Sequence, residues 1–149
     1  MKIVFFEVEK WEEEHINSSF SSYQPILTSE KLDETTFSKY ADAEIISCFI
    51  YSKLTKEVLE KFSNLKLIAT RSTGFDHIDL NYCKEKNIKV TNVPTYGAHT
   101  VAEHTFALIL AISRKLVPSV EQAKKGDFSS ENLQGFDLAG KTLGVVGTG

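Results

Sequence analysis

The chain has little of what marks the special classes of protein. Two cysteines, Cys48 and Cys83, in 149 residues cannot build a disulfide framework. Cys48 lies in an apolar strand-like run and Cys83 in a polar helix-like one, so both are expected as reduced thiols in a cytoplasm. Against 20 Asp and Glu there are only 17 Lys and Arg, and a net charge of −3 excludes the electropositive footprint of a nucleic-acid binder. The longest apolar stretch, Phe106 to Ile112, falls far short of the ~20 residues a membrane-spanning helix needs. The N-terminus, Met1-Lys-Ile-Val-Phe-Phe, runs straight into acidic residues, which is not the pattern of a secretion signal. No internal repeat or low-complexity tract appears.

What is present is an ordinary globular composition, 42% hydrophobic and 25% charged, in a chain long enough for a sizeable core. Acid is concentrated early, at Glu7, Glu9, Glu12, Glu13 and Glu14. A solvated helix face with first-turn carboxylates accounts for these better than a metal site does.

Short β-rich runs alternate with helix-like stretches. The runs are Ile3–Val8, Pro25–Thr28, Glu44–Tyr51, Lys66–Thr70, Ile88–Thr91 and Thr142–Val146. Amphipathic stretches lie between them at about 9–20, 33–41, 55–62 and 79–86. Thr55 is a credible N-cap for a helix that places Val58, Leu59 and Phe62 on one face. The alternation predicts an open parallel sheet with helices on both sides. Ligands of such sheets sit at the carboxyl ends of strands, which directs attention to the loops after Tyr51, Thr70 and Thr91.

The stretch His99 to Lys115 is apolar or small around most of its circumference, and burial on nearly all sides is expected of it. Pro118 should perturb or end it, and Gly126 should end a polar continuation. A helix of that kind packs between two bodies, which places a domain boundary near residues 94–100.

Four segments carry chemistry. Arg71-Ser-Thr-Gly-Phe-Asp-His-Ile-Asp79 follows an apolar strand. Gly74 permits a tight turn there, successive backbone N–H groups can form an anion-binding nest, and Asp79 or Asp76 can cap the next helix. The alternative is a loop whose glycine merely ends a strand. Asn92-Val-Pro-Thr-Tyr-Gly97 is a second turn after a strand, with Tyr96 at its rim. His99 and His104 are five positions apart, about 140° around a helix, so they do not form a metal pair. Finally, Lys141-Thr-Leu-Gly-Val-Val-Gly-Thr-Gly149 reads as a strand followed by Gly-x-Gly, the opening of a dinucleotide-binding turn.

Thr70–Asp79, Val90–Gly97, Val101–Leu108 and Leu138–Gly149, taken together and in this order, resemble the D-isomer-specific 2-hydroxyacid dehydrogenases, most closely their D-lactate dehydrogenase branch. The resemblance implies a flavodoxin-like, doubly wound α/β substrate domain at residues 1–98, an interdomain helix region at 99–126, and the start of an NAD-binding Rossmann domain at 127–149, of which only the first strand is present. It implies that N–H groups at Thr73 and Gly74 hold the substrate carboxylate and that Tyr51 and Tyr96 line the substrate pocket. It places Val101 near the nicotinamide ring and makes Gly147 and Gly149 the first two glycines of the phosphate loop.

The family's catalytic arginine, glutamate and histidine fall after residue 149, so the resemblance assigns this chain no catalytic residue. The implied parent is a cytoplasmic, homodimeric, NAD-dependent oxidoreductase acting on a small 2-hydroxy or 2-oxo acid, D-lactate or pyruvate, with no metal. The chain alone is expected to be inactive. Two alternatives remain open: a stand-alone flavodoxin-like binding module, and a self-associating module that uses the apolar helix.

Overall fold

The structure, a computed structural model, describes residues 1–147. Five parallel strands form one sheet: β1 (Ile3–Phe5), β2 (Ile26–Leu27), β3 (Ile45–Cys48), β4 (Leu67–Thr70) and β5 (Lys89–Thr91). Their spatial order is β2-β1-β3-β4-β5, the flavodoxin-like winding, and the direction of winding reverses between β1 and β3. The register pairs Val4 with both Ile26 and Ile46, and Ile46 with Ile68.

Strand periodicity explains why β1 is apolar at every position. Successive side chains point to opposite faces, and both faces of this sheet are covered. Ile3 and Phe5 join Val8 and Ile16 in a small cluster under α1 (Lys10–Ser19). Val4 and Phe6 join the larger core, with Ile46, Ile68 and the buried faces of α2 (Lys56–Leu59) and α3 (Leu80–Glu85). Val58, Leu59 and Phe62 are buried together as their spacing predicts.

Two caps behave differently. The Asp79 carboxylate accepts the Tyr82 N–H at 2.9 Å and so caps α3. Thr55 occupies the cap position of α2 without a side-chain hydrogen bond, and its carbonyl alone receives Val58 and Leu59 N–H groups. The expected helix at 33–41 is reduced to a 3-10 turn at Phe37–Lys39. Its start is diverted by side chains: Asp33 Oδ1 accepts from both the N–H and hydroxyl of Thr35, at 2.9 and 2.6 Å, while Thr36 Oγ1 accepts the Asp33 N–H at 3.0 Å. Such local bonds compete with helical ones.

The chain divides into two compact units at Tyr96/Gly97. The second contains α4 (Ala98–Ser113) and α5 (Leu116–Lys124). The break between them falls at Lys115, whose φ of 53° is left-handed, and Pro118 sits in the first turn of α5, where it sacrifices no helical hydrogen bond. Gly126, with φ of 78°, follows the end of α5 as expected. Gly135 is packed so closely that a Cβ there would lie 2.0 Å from the Ser113 carbonyl oxygen, which accepts the Phe136 N–H at 2.9 Å.

Two expectations fail in this unit. Burial of the apolar helix on nearly all sides is not found within this unit: Val101, Phe106, Leu108, Leu110 and Ile112 are all exposed. Residues 142–146 form no strand. A strand needs a hydrogen-bonded neighbour, and none of the described strands pairs with them, so Leu143, Val145 and Val146 lie exposed.

Candidate functional site

At the carboxyl ends of the strands, where the winding reverses, the first unit carries a cleft of about 630 Å³. Its walls come from the loops after all five strands: Glu7, Val8 and Glu9 after β1, Ser29 and Lys31 after β2, Phe49 and Tyr51 after β3, Arg71 after β4 and Tyr96 after β5. Trp11 and Glu12 of α1 complete it. The three loops singled out in the sequence each contribute, while those after β1 and β2 carry no signal that periodicity or motif would detect.

The chemistry of the cleft rests on two charged residues whose backbone or side chain is held by the sheet. Glu7 adopts φ of 56°, a left-handed conformation that costs energy for any side chain but glycine. Its Oε2 accepts the Tyr51 N–H at 3.0 Å, and its Oε1 accepts the Ser52 N–H at 2.7 Å and the Ser52 hydroxyl. Arg71 crosses under the same loop. Its Nη2 donates to the carbonyls of Phe6 and Glu7 at 3.0 and 2.9 Å, and its Nε lies 3.3 Å from Glu12 Oε1. The Glu12 carboxylate also accepts the Glu9 N–H at 2.8 Å at the start of α1. The early acids at Glu9, Glu12 and Glu13 are thus helix-terminus carboxylates, but Glu7 is a loop anchor and not part of a solvated helix face.

Tyr51 and Tyr96 both line the cleft with exposed rings, and Tyr51 packs edge-to-face on Phe49 at 6.3 Å between ring centres. Thr73 and Gly74 lie on the neighbouring loop and outside the cleft wall. Thr73 is pinned to the loop after β5: its hydroxyl donates to the Val93 carbonyl at 3.0 Å and its carbonyl accepts from Asn92 Nδ2 at 2.8 Å. The N–H groups of Thr73 and Gly74 donate to no acceptor among the described residues. Gly74 does not have a left-handed φ, and a Cβ there would meet only Asp76 Oδ2 at 3.9 Å, so the turn itself does not demand glycine.

His77 serves the inside of the same corner. Its Nε2 is 3.2 Å from Thr70 Oγ1 and 3.8 Å from Cys48 Sγ, and Thr70 Oγ1 lies 2.6 Å from Ser72 Oγ. Burial holds its pKa below the usual histidine range, against the opposing charges of Glu7 and Asp76. Burial, reinforced by Glu7, pushes the Cys48 thiol up to about 12. No histidine lines the cleft.

Among the residues expected to meet a cofactor, Val101 is exposed in α4 and Gly147 has φ of 85°, while Gly149 lies outside the described residues. A Cβ at Gly144 or Gly147 would meet nothing within 4 Å. The described residues therefore build no dinucleotide cradle by themselves. Among the described residues no strand leads into this turn.

Residues 3–140 match the family described as D-isomer specific 2-hydroxyacid dehydrogenase, catalytic domain. The chain belongs to this family. Over its whole length it is 31% identical to a 2-hydroxyacid dehydrogenase homolog of Zymomonas mobilis and 31% identical to the D-lactate dehydrogenase of Escherichia coli, covering 46% of each. The chain thus spans about half the length of these curated relatives. Among solved structures, the D-lactate dehydrogenase of Aquifex aeolicus, complexed with NAD and lactic acid, superposes with a TM-score of 0.86 at 38% identity over 92% of this chain and 41% of that one. The five-stranded parallel sheet is the fold of such relatives.

Proposed function

We propose that this chain is the N-terminal, substrate-binding part of an NAD-dependent oxidoreductase that interconverts a small 2-hydroxy acid and its 2-oxo acid, D-lactate and pyruvate. The observation that carries the reading is the convergence of Tyr51 and Tyr96 on one cleft at the switch point of the sheet, in a chain of this family. When bound, the nicotinamide supplies the hydride chemistry. Residues 1–98 bind and orient the acid, residues 99–126 form the interdomain helix region, and residues 127–149 open the cofactor domain.

Each site residue has a part in this reading. Tyr51 and Tyr96 bound the substrate's side chain. The unengaged N–H groups of Thr73 and Gly74, steadied by Asn92 and Val93, receive its carboxylate. Val101 faces the nicotinamide, and Gly147 and Gly149 belong to the phosphate loop. The resemblance assigns proton transfer at the hydroxyl to a histidine that falls after residue 149, and no histidine of this chain lines the cleft in its place. The chain alone therefore has no dehydrogenase activity. The intact enzyme is read as cytoplasmic and homodimeric, and the exposed apolar side chains of α4 support the association alone.

The test is NADH oxidation by the intact protein against a series of 2-oxo acids, beside the 149-residue chain. Turnover of pyruvate by the intact protein only is the expected result. Steady turnover by the chain alone, or none by the intact protein with any 2-oxo acid, overturns the reading.

A further inference from the structure

We infer that Glu7 is a positioning residue for the substrate side of the cleft, acting through the backbone of Tyr51 and the hydroxyl of Ser52. The inference rests on the proposed role of Tyr51 and adds a group that neither motif nor resemblance singles out.

Glu7 is the point at which four strand-end loops meet. Its N–H donates to the Glu30 carbonyl at 3.0 Å, tying the loop after β2. Its carbonyl receives Arg71 from the loop after β4 at 2.9 Å. Its carboxylate takes the Tyr51 and Ser52 N–H groups, one on each oxygen, from the loop after β3. The Ser52 hydroxyl, fully buried, donates to this carboxylate while accepting the Leu32 N–H at 2.9 Å, which closes the circuit back to the loop after β2.

The geometry explains why a left-handed, non-glycine residue stands here. Two N–H groups and one hydroxyl point at the same place and need an acceptor with two equivalent oxygens. A carboxylate supplies both, and a carboxamide supplies only one. The left-handed backbone turns the Glu7 side chain toward these donors, and four hydrogen bonds on its own main chain and that of Phe6 hold it there. Tyr51 has an exposed ring, with Phe49 as its aromatic contact, so the direction of the ring depends on a fixed backbone. Releasing that backbone should blur the pocket wall without touching any proton-transfer group.

The experiment uses the intact protein with Glu7→Gln, Tyr51→Ala and the double variant. Glu7→Gln should raise KM for the 2-oxo acid about tenfold with kcat within about twofold, since it loses a charge-assisted bond to the pocket wall rather than to the reacting atoms. In the Tyr51→Ala background the same substitution should change KM less than about twofold. Equal effects of Glu7→Gln in both backgrounds, or an effect confined to kcat, would overturn the inference. Hydrogen exchange of the Tyr51 and Ser52 amides gives a reading that needs no turnover. Exchange accelerated at these two amides by Glu7→Gln, with β3 and β4 unchanged, supports the positioning role even if no 2-oxo acid is reduced and the functional reading fails. Unchanged exchange there overturns the inference by itself.

Discussion

Arg71 Nη2 stands 2.9 Å from the carbonyl oxygen of Glu7, a bond that carries a guanidinium from the end of β4 to the loop beyond β1. The same nitrogen reaches the Phe6 carbonyl, and Nη1 lies 3.3 Å from Ser47 Oγ, so one side chain laces three neighbouring strand ends. Arg71→Met keeps the stem but abandons these acceptors and the Glu12 carboxylate. A loss of about 2–3 kcal/mol in unfolding free energy is expected from breaking a partly buried charged network. Urea denaturation of the variant measures it, and a change below about 0.5 kcal/mol, the size of an ordinary surface substitution, would contradict the network's role.

Asp79 tests the local end of the same scale. Replacing it with alanine removes the acceptor for the Tyr82 N–H and should cost about 1 kcal/mol, whereas asparagine should keep most of the cap. Thermal or urea unfolding distinguishes the two. Thr55→Ala is the matched control, because its side chain makes no capping bond, and its effect should be smaller.

The thiols offer a pH-dependent prediction. Cys48 and Cys83 are buried, free and raised in pKa, chiefly by burial. A disulfide reagent at neutral pH should label neither in the native protein and both in denaturant. The sign of the linkage follows from Cys48. An unfolded thiol ionises near 9.0 and the folded one near about 12, so its stabilising contribution is whole below about pH 9 and declines as the pH rises toward 12. Unfolding curves between pH 8 and 11 for the wild type and Cys48→Ala should converge as this contribution fades.

The apolar side chains of α4 predict association. Phe106, Leu108, Leu110 and Ile112 are between 48% and 70% exposed, too many large side chains on one helix for a monomer's ordinary surface. Light scattering over a concentration series should show a dimer. Phe106→Asp combined with Leu110→Asp should shift it toward monomer by at least tenfold in dissociation constant. A monomeric 149-residue chain at high concentration would refute this association.

Much of the fold was legible because its signals are periodic or local. The five runs of β-rich residues that became strands could be read because both faces of a parallel sheet are apolar, and Asp79 could be read because a cap bonds only three residues away. A full helix at 33–41 does not form because Asp33 and Thr36 divert the backbone through side-chain bonds that an apolar period does not register. The strand expected at 142–146 does not form, for a different reason. Composition shows a wish to pair, but pairing depends on a neighbour that the described residues do not contain.

From the sequence by itself follow an open parallel sheet, carried by the alternation along the chain, and a family resemblance, carried by ordered motifs, which in turn implies the flavodoxin-like winding and the tyrosines of the pocket. Only the tertiary structure decided that Glu7 holds Tyr51 and Ser52, and that Arg71 binds the loop where Glu7 turns. These partners stand 44, 45 and 64 positions apart. A hydrogen bond of that span leaves no period in the sequence, because it exists only when the sheet has set β1, β3 and β4 side by side.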